Sequence, residues 1–311
     1  MNKFITKILI ICFWPLVLAY AIMLMADGST DICYLRLTTK KQSNIVTGTS
    51  RAACGIIPNV LDSIYASSGF YNKTYNFSFS LGHSPYGPTY YKAINKKLNI
   101  KEKNGIFIVT VDPWSISAEE DNANKFEENK RCLEKVNNVN VRPNVEYFIK
   151  SYSEPLVNVL KNHFAWKYNI NQILSFNIDN GGWLFIKREM DSVSVESRIN
   201  AHVEEFNTYL KTVKYSEERY KSLNEVIQLF KEHGEVYLVR LPVCPRISSI
   251  DDTLIANFDS IMTVTAKKYN IEYINLTSYN SKYKYIDGNH LTKASAYSVS
   301  VLIGEKILKK I

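Results

Sequence analysis

Cysteine is scarce in this chain, and its spacing does not suit a metal. Five cysteines occur among 311 residues, and none belongs to a Cys-x-x-Cys pair or to a Cys/His cluster with the spacing of a zinc site. Cys12 lies in an apolar run. The other four are Cys33, Cys54, Cys132 and Cys244, which could pair in three ways or not at all. The spacing therefore predicts neither a metal nor a cofactor.

The chain also lacks the glycine-rich loops and basic stripes that bind nucleotides and nucleic acids. It has 12 glycines, and its Gly-Gly pair stands in Asp179-Asn-Gly-Gly-Trp183, a turn without the strand-to-helix setting of a phosphate loop. The formal net charge of +8 comes from scattered lysines rather than from a basic stripe interleaved with aromatic residues. The sequence therefore predicts no nucleic-acid partner, whereas acidic polysaccharides and anionic lipid head groups are compatible with the charge.

Charge is absent from a long run near the N-terminus. Lys3 and Lys7 precede the uncharged residues 8–26, a run about as long as a helix needs to cross the hydrocarbon of a membrane. The positive flank predicts that the N-terminus stays inside and that the rest of the chain lies outside the cytoplasm. A cleaved signal peptide is the alternative, with Ala19-Tyr-Ala21 as the cleavage site. Because the apolar run continues past that site, we favour an uncleaved membrane anchor at 1–26.

Composition allows one large domain after the anchor. Hydrophobic residues make up 46% of the chain and aromatic residues 13%, enough to bury a sizeable core. Short apolar strands alternate with amphipathic helices, a pattern typical of a parallel sheet covered by helices on both faces. We expect a juxtamembrane link at 27–42 and a domain at 43–311. Two apolar helical stripes between the third and fourth predicted strands indicate a helical insertion at about 115–234.

The segment Ser43 to Asn59 combines a strand, a tight turn and a helix start around one hydroxyl. Asn44 to Thr47 is β-prone, Gly48-Thr49 supplies the turn, and Ser50 opens a helix. Open parallel sheets bind ligands at the carboxyl ends of their strands, and a helix N-terminus favours developing negative charge. Ser50 is thus placed like a nucleophile, although a serine that only caps a helix would stand in the same position.

A loop near the C-terminus supplies the base that such a serine needs. Asp287 and His290 are three residues apart in Tyr285-Ile-Asp-Gly-Asn-His-Leu-Thr292. At that spacing, the carboxylate can accept from His Nδ1–H and leave Nε2 free to take a hydroxyl proton. The alternative is a solvated loop in which Asp287 caps a turn and His290 is incidental.

Both ends of the chain resemble a known hydrolase family. Gly48-Thr49-Ser50-Arg51 and Asp287-x-x-His290 resemble the first and last blocks of the SGNH (GDSL-type) hydrolases. The resemblance implies a flavodoxin-like three-layer α/β/α fold and a catalytic triad of Ser50, Asp287 and His290. Asn76-Phe-Ser-Phe-Ser-Leu-Gly82 is similar to the second block, which implies that the Gly82 N–H joins that of Ser50 in an oxyanion hole.

The similarity is closest to a membrane-anchored branch of this family. That branch includes D-alanyl transfer proteins of teichoic acid synthesis and proteins that handle polysaccharide O-acetyl groups. It implies an extracytoplasmic esterase or O-acyltransferase that acts on an O-acylated glycan or another acyl ester, without a cofactor.

The third block departs from the family pattern. Val109-Thr-Val-Asp-Pro-Trp114 stands in its place, and the expected Gly-x-Asn-Asp is absent. Asp112 cannot donate to an oxyanion while it is ionised, and its charge opposes the one that forms. We predict that Arg51 pairs with Asp112 and so positions substrate or braces the turn, with Arg240 as the other candidate cation. The departure leaves open a second hypothesis, a catalytically inactive envelope assembly protein that binds envelope-biosynthesis partners.

Overall fold

A computed structural model of the chain describes residues 2–119, 132–152, 155–168 and 176–310. The strands of the described residues are β1 (Asn44–Thr47), β2 (Thr74–Asn76), β3 (Gly105–Thr110), β4 (Ser117–Glu119), β5 (Phe176–Ile178), β6 (Leu184–Ile186), β7 (Val213–Tyr215), β8 (Gly234–Arg240) and β9 (Glu272–Asn275). The helices are α1 (Asn2–Leu24), α2 (Tyr34–Thr38), α3 (Ser50–Gly55), α4 (Pro58–Ala66), α5 (Pro88–Lys97), α6 (Cys132–Lys135), α7 (Val145–Lys150), α8 (Leu156–Tyr168), α9 (Ser192–Tyr209), α10 (Glu217–Lys231), α11 (Pro245–Leu254), α12 (Phe258–Tyr269) and α13 (Lys293–Leu308).

The main sheet of the described residues has five strands in the order β2-β1-β3-β8-β9, and every neighbouring pair is parallel. Counted within this sheet alone, the order is second, first, third, fourth, fifth, which is the flavodoxin-like order. The predicted α/β fold class is therefore confirmed. The chain reverses its direction of travel across the sheet between β1 and β3, and in such sheets ligands bind outside the carboxyl ends of the strands at this reversal.

Helices cover both faces of the sheet. On one face, Phe230 of α10 stacks on Phe107 of β3 with ring centroids 4.3 Å apart, and α5 and α12 complete the layer. On the other face, α3, α4 and α13 pack together. Gly304 of α13 allows that contact, because a Cβ there would come within 2.8 Å of the Ile64 side chain. Each face of the sheet thus has its own apolar core, as strands buried on both sides require.

The N-terminal helix differs from every other described helix in its exposure and composition. Within the described residues, α1 is the helix long and apolar enough to cross a membrane. Its apolar side chains lie mostly on the surface, and Pro15 falls inside it, which a membrane helix tolerates. The sequence-based expectation of a membrane anchor or signal segment at 1–26 agrees with this helix.

The segment 27–42 is packed into the domain rather than extended as a free link. Tyr34 and Leu37 of α2 are fully buried in the core. The buried Arg36 guanidinium donates to the Gly182 carbonyl at 2.8 and 3.1 Å. The sequence predicted a short juxtamembrane link here and gave no sign of this packing, because the partners of the segment lie far away in the sequence.

The insertion between β3 and β8 contains strands as well as helices. β4 pairs with β7 and β5 pairs with β6, both antiparallel. Strands of three residues are too short to show a period, so the sequence indicated helix alone. Parts of the predicted insertion, at 120–131, 153–154 and 169–175, lie outside the described residues. Its last helix, α10, belongs to the layer against the sheet.

The turn that follows β1 depends on a glycine. Gly48 has φ +146°, and a Cβ there would overlap the hydroxyl of Thr110, which donates to the Thr47 carbonyl at 2.9 Å. We expect Gly48→Ala to lower the free energy of unfolding by about 3 kcal/mol, since strained backbone and overlap add. Urea denaturation of the detergent-solubilised chain measures the loss.

Gly69→Ala is the matched control for that substitution. Gly69 also has positive φ, +86°, but nothing lies within 4 Å of its Cβ position. The free energy of unfolding of Gly69→Ala should therefore fall only by the cost of the strained backbone, about 1 kcal/mol. Equal losses for the two variants would show that the overlap at Gly48 is relieved without cost.

Candidate active site

The first site residue lies where β1 gives way to α3. Thr49 has extended backbone at the start of α3, and its carbonyl accepts from the N–H groups of Ala52 and Ala53 at 3.0 and 3.1 Å. Ser50 is the first residue of the helix and lines an open cavity at the carboxyl edge of the sheet. The strand-turn-helix order predicted from the sequence thus puts the hydroxyl at the sheet reversal.

The structure brings the three residues of the predicted triad together. His290 Nε2 lies 2.8 Å from Ser50 Oγ, across 240 residues of sequence. His290 Nδ1 lies 2.8 Å from Asp287 Oδ2. These contacts match a tautomer in which Nδ1–H donates to the carboxylate and Nε2 accepts from the serine hydroxyl.

Backbone groups of its own loop hold the carboxylate of Asp287. Asp287 Oδ1 accepts from the N–H groups of Asn289 and His290 at 3.0 and 2.9 Å. Burial raises the pKa of Asp287, but the positive charge of His290 and hydrogen bonds from His202 and His290 outweigh it and leave the pKa below its ordinary value. The carboxylate is thus ionised at neutral pH and can stabilise an imidazolium at His290.

A second histidine, which the sequence did not predict, faces the same carboxylate. His202 of α9 places Nε2 3.5 Å from Asp287 Oδ2, and its ring centroid lies 6.2 Å from that of His290. The hydrogen bond with Asp287 raises the pKa of His202 above its ordinary value, although burial opposes the shift. The sequence feature that could have indicated His202 is its position between Ile199 and Phe206, where a polar residue interrupts the apolar face of the helix.

Arg51 pairs with a different carboxylate from the one predicted. Its guanidinium makes a bidentate contact with Asp251, at 2.5 and 2.9 Å, and its Nε donates to Asn289 Oδ1 at 2.8 Å. The predicted pair with Asp112 does not form, because α11 delivers the buried Asp251 to this position. Arg51 therefore connects the Ser50 helix to the loop of His290. The sequence predicted a bracing role for Arg51 with Asp112 as its partner, whereas its partner in the structure is Asp251.

Asp112 caps the turn that follows β3. Its Oδ1 accepts from the Ser115 N–H at 2.9 Å, and its Oδ2 accepts from the Thr49 hydroxyl at 2.9 Å. Burial raises the pKa of Asp112, with Asp251 adding to the shift, while Arg51 and the hydrogen bonds from Thr49 and Ser115 oppose it. The residue lines the cavity beside Ser50, but its carboxylate oxygens accept the hydrogen bonds that hold two turns in place.

Arg240 lies outside the active-site cavity and interacts with carboxylates around Asp251. It is buried at the end of β8, donates to Asp259 and Asp252 at 2.9 and 3.1 Å, and lies 4.0 Å from Asp251. It does not line the cavity of the described residues. Its contribution is therefore to the electrostatic surroundings of Asp251 rather than to substrate contact.

The cavity in front of Ser50 has a volume of about 810 Å³. One wall is the loop that carries Ser80, Leu81 and Gly82, and the opposite wall is α9, with Phe206 stacked on Trp114 at 4.7 Å. Gly82 faces the same cavity as Ser50, while its N–H as an oxyanion donor stays a prediction. Asn289 was not predicted; its amide nitrogen lies 3.4 Å from His290 Nε2, within the same polar cluster.

The arrangement has the chemistry of a serine nucleophile. A hydroxyl, an imidazole and a carboxylate lie in hydrogen-bonding order at the mouth of a cavity, which is the geometry that nucleophilic acyl transfer needs.

Comparison with known proteins shows only a distant likeness. No protein-family model and no curated protein matches the chain. Among solved structures, an inhibitor-bound aryl esterase of M. smegmatis is similar with a TM-score of 0.36 and 10% sequence identity, over 86% of this chain and 99% of that chain. At this distance the likeness says nothing about activity.

Proposed function

We propose that the chain is a membrane-tethered, extracytoplasmic serine esterase or O-acyltransferase of the SGNH type. One observation carries the proposal, a continuous hydrogen-bond relay through the ring of His290. His290 Nε2 lies 2.8 Å from Ser50 Oγ, and His290 Nδ1 lies 2.8 Å from Asp287 Oδ2. A solvated loop in which His290 is incidental would not hold the imidazole between a hydroxyl and an ionised carboxylate.

In the proposed reaction, Ser50 Oγ attacks the carbonyl carbon of an ester. His290 Nε2 takes the hydroxyl proton, and Asp287 stabilises the imidazolium that results. The N–H groups of Ser50 and Gly82 hold the oxyanion of the tetrahedral intermediate. His290 then returns the proton to the leaving alcohol as the C–O bond breaks, which leaves an acyl group on Ser50. Water or a sugar hydroxyl, deprotonated by His290, releases that acyl group.

The proposed substrate is an acyl ester, most simply an acetyl ester, of a cell-surface glycan. The cavity is open to solvent and large enough for a sugar unit. The exposed ring of Tyr209 and the carboxylate of Glu205 line it, offering an apolar surface and hydrogen-bond acceptors for hydroxyl groups. The positive flank of α1 supports placement of this cavity outside the cytoplasm.

An inactive envelope assembly protein is the second candidate. Asp112 favours it, because this residue stands where the family has an oxyanion-donating asparagine and its oxygens instead hold Thr49 and Ser115. Such a protein would keep the cavity as a binding site for a glycan or an envelope partner.

Active-site labelling separates the two candidates. The full chain in detergent is incubated with p-nitrophenyl acetate and with a serine-directed phosphonate, and the labelled peptide is identified by mass spectrometry. The enzyme predicts phosphonate on Ser50, lost in Ser50→Ala and in His290→Ala. Folded protein that takes up no phosphonate would favour the assembly protein. Adding a glycan acceptor tests transfer, which should release the acyl group faster than water does.

His202 gives a prediction about pH. The hydrogen bond with Asp287 raises the pKa of His202, so near neutral pH its ring carries more positive charge than that of an ordinary histidine. In His202→Gln, that positive charge is gone while the glutamine amide can still donate to Asp287, and the loss of charge favours the protonated form of His290. The acidic limb of the kcat/KM profile should therefore move to higher pH, by about 1 pH unit.

His233→Gln is the control for that measurement. His233 precedes β8 at the amino edge of the sheet, away from the cavity, and its replacement should leave the profile unchanged. A profile of His202→Gln that superimposes on that of the unaltered chain would show that His202 has no electrostatic influence on the base.

A further inference from the structure

Three metal-binding side chains meet outside the active site. Cys33 precedes α2, His83 follows Gly82 in the cavity loop, and Cys132 begins α6. Their potential ligand atoms all lie within 4.8 Å of one another. Both cysteines are buried and the histidine is half-buried. About 50 residues of chain separate each from the next, which is why no spacing in the sequence indicated a site.

We propose that Cys33, His83 and Cys132 bind a zinc-like divalent cation. Thiolate sulfur and imidazole nitrogen are the ligands that zinc prefers, and bond lengths of about 2.3 Å to sulfur and about 2.0 Å to nitrogen place neighbouring ligand atoms about 3.5 to 4 Å apart. The ligand atoms of the cluster lie within 4.8 Å of one another, so small side-chain rotations bring them to these separations. Magnesium and calcium are poor occupants, since they take oxygen ligands. With three protein ligands, water fills the fourth position.

The surroundings of the three residues fit a bound cation. His83 Nδ1 lies 2.7 Å from Ser80 Oγ, which orients the ring and leaves Nε2 for the metal, as the partners of metal-bound histidines commonly do. Asp31 adds negative charge beside Cys33 and accepts the Cys33 N–H at 2.7 Å. Arg36 is the nearby positive group, and its guanidinium is directed at the carbonyls of Gly182 and Ile32.

A Cys33–Cys132 disulfide is the competing use of the same sulfur atoms. It would leave His83 without a role in the cluster, whereas a metal uses all three side chains.

Cobalt binding tests the proposal. The full, untagged chain is purified in detergent with reductant, stripped with a chelator and titrated with Co²⁺ alone, whose thiolate complexes have a charge-transfer absorption band. We expect one cobalt per chain with this band, and its loss on addition of Zn²⁺. Cys33→Ser and Cys132→Ser should each weaken binding by about 100-fold or more, since losing a ligand costs at least as much as losing an orienting partner.

Cys54→Ser and Cys244→Ser are matched controls, because both residues are buried free cysteines outside the cluster, and they should keep the band and the affinity. Reduced, folded wild-type chain without the band would overturn the proposal, whatever the variants do. Retention of full affinity in Cys33→Ser would overturn it as well. So would recovery of a Cys33–Cys132 linked peptide from chain isolated without reductant.

Discussion

Replacing Ser50 with alanine is expected to lower kcat/KM for a reporter ester by about 10⁴-fold. The substitution removes the Ser50 hydroxyl, which lies 2.8 Å from His290 Nε2, and leaves the cavity and the proposed oxyanion donors in place. Binding and oxyanion stabilisation therefore persist, and the residual rate is that of water attacking a bound ester. Initial-rate kinetics with p-nitrophenyl acetate measure the loss.

His290→Ala should cost about as much as Ser50→Ala, and the double variant should cost little more than either. The residues act as one unit, because the hydroxyl is a poor nucleophile without its base and the base has no proton to take without the hydroxyl. Ser298→Ala is the control, since Ser298 lies exposed on α13. A Ser50→Ala variant within ten-fold of the normal rate would point to another nucleophile in the cavity, with Ser80 the first to test.

The relay could be predicted from the sequence because each half of it is local. Strand, turn and hydroxyl lie within seven residues at Asn44 to Ser50, and Asp287 and His290 share one loop. The parallel order of the sheet then sends both loops to the same edge, since every connection leaves the carboxyl end of one strand and returns the chain to the amino end of the next. The local patterns and one rule of topology together determine where the Ser50 turn and the loop of Asp287 and His290 come together.

Side chains that meet across the fold could not be predicted in this way. The sequence predicted a pair of Arg51 with Asp112, and only the position of α11 decides that Asp251 lies against Arg51 instead. His202 reaches Asp287 because α9 packs on α11 and the C-terminal loop. Neither packing is encoded in a periodicity, since an apolar stripe indicates that a helix is buried and not which element buries it.

The three-residue cluster shows the same limit in another form. Zinc-site spacing rules apply to ligands close together in the chain, and Cys33, His83 and Cys132 are brought together by tertiary packing, of 27–42 into the domain and of α6 on α5. The sequence had predicted only a juxtamembrane link at 27–42.

The largest stability effect should come from breaking the buried pair of Arg51 and Asp251. Asp251 is fully buried and accepts two guanidinium hydrogen bonds and, at 2.8 Å, the Trp114 indole N–H. Arg51→Met would leave this carboxylate without its main counter-ion, at a cost of about 3 to 5 kcal/mol in the free energy of unfolding. Urea denaturation measures the loss, and a constant denaturant slope verifies that the unfolding transition itself is unchanged.

The double variant Arg51→Met/Asp251→Asn decides whether charge is the cause. Asparagine keeps an acceptor for Trp114, and Arg240 keeps Asp252 and Asp259 as partners, so position 251 of the double variant no longer carries a stranded charge. It should recover about 2 kcal/mol or more of the stability lost in Arg51→Met, because an uncompensated buried charge costs more than the pair contributes. Its rate in the proposed ester hydrolysis should nevertheless stay low, since the Arg51 contact that holds Asn289 beside His290 is still missing. Additive losses would instead show that Arg51 stabilises the fold by packing and not by neutralising Asp251.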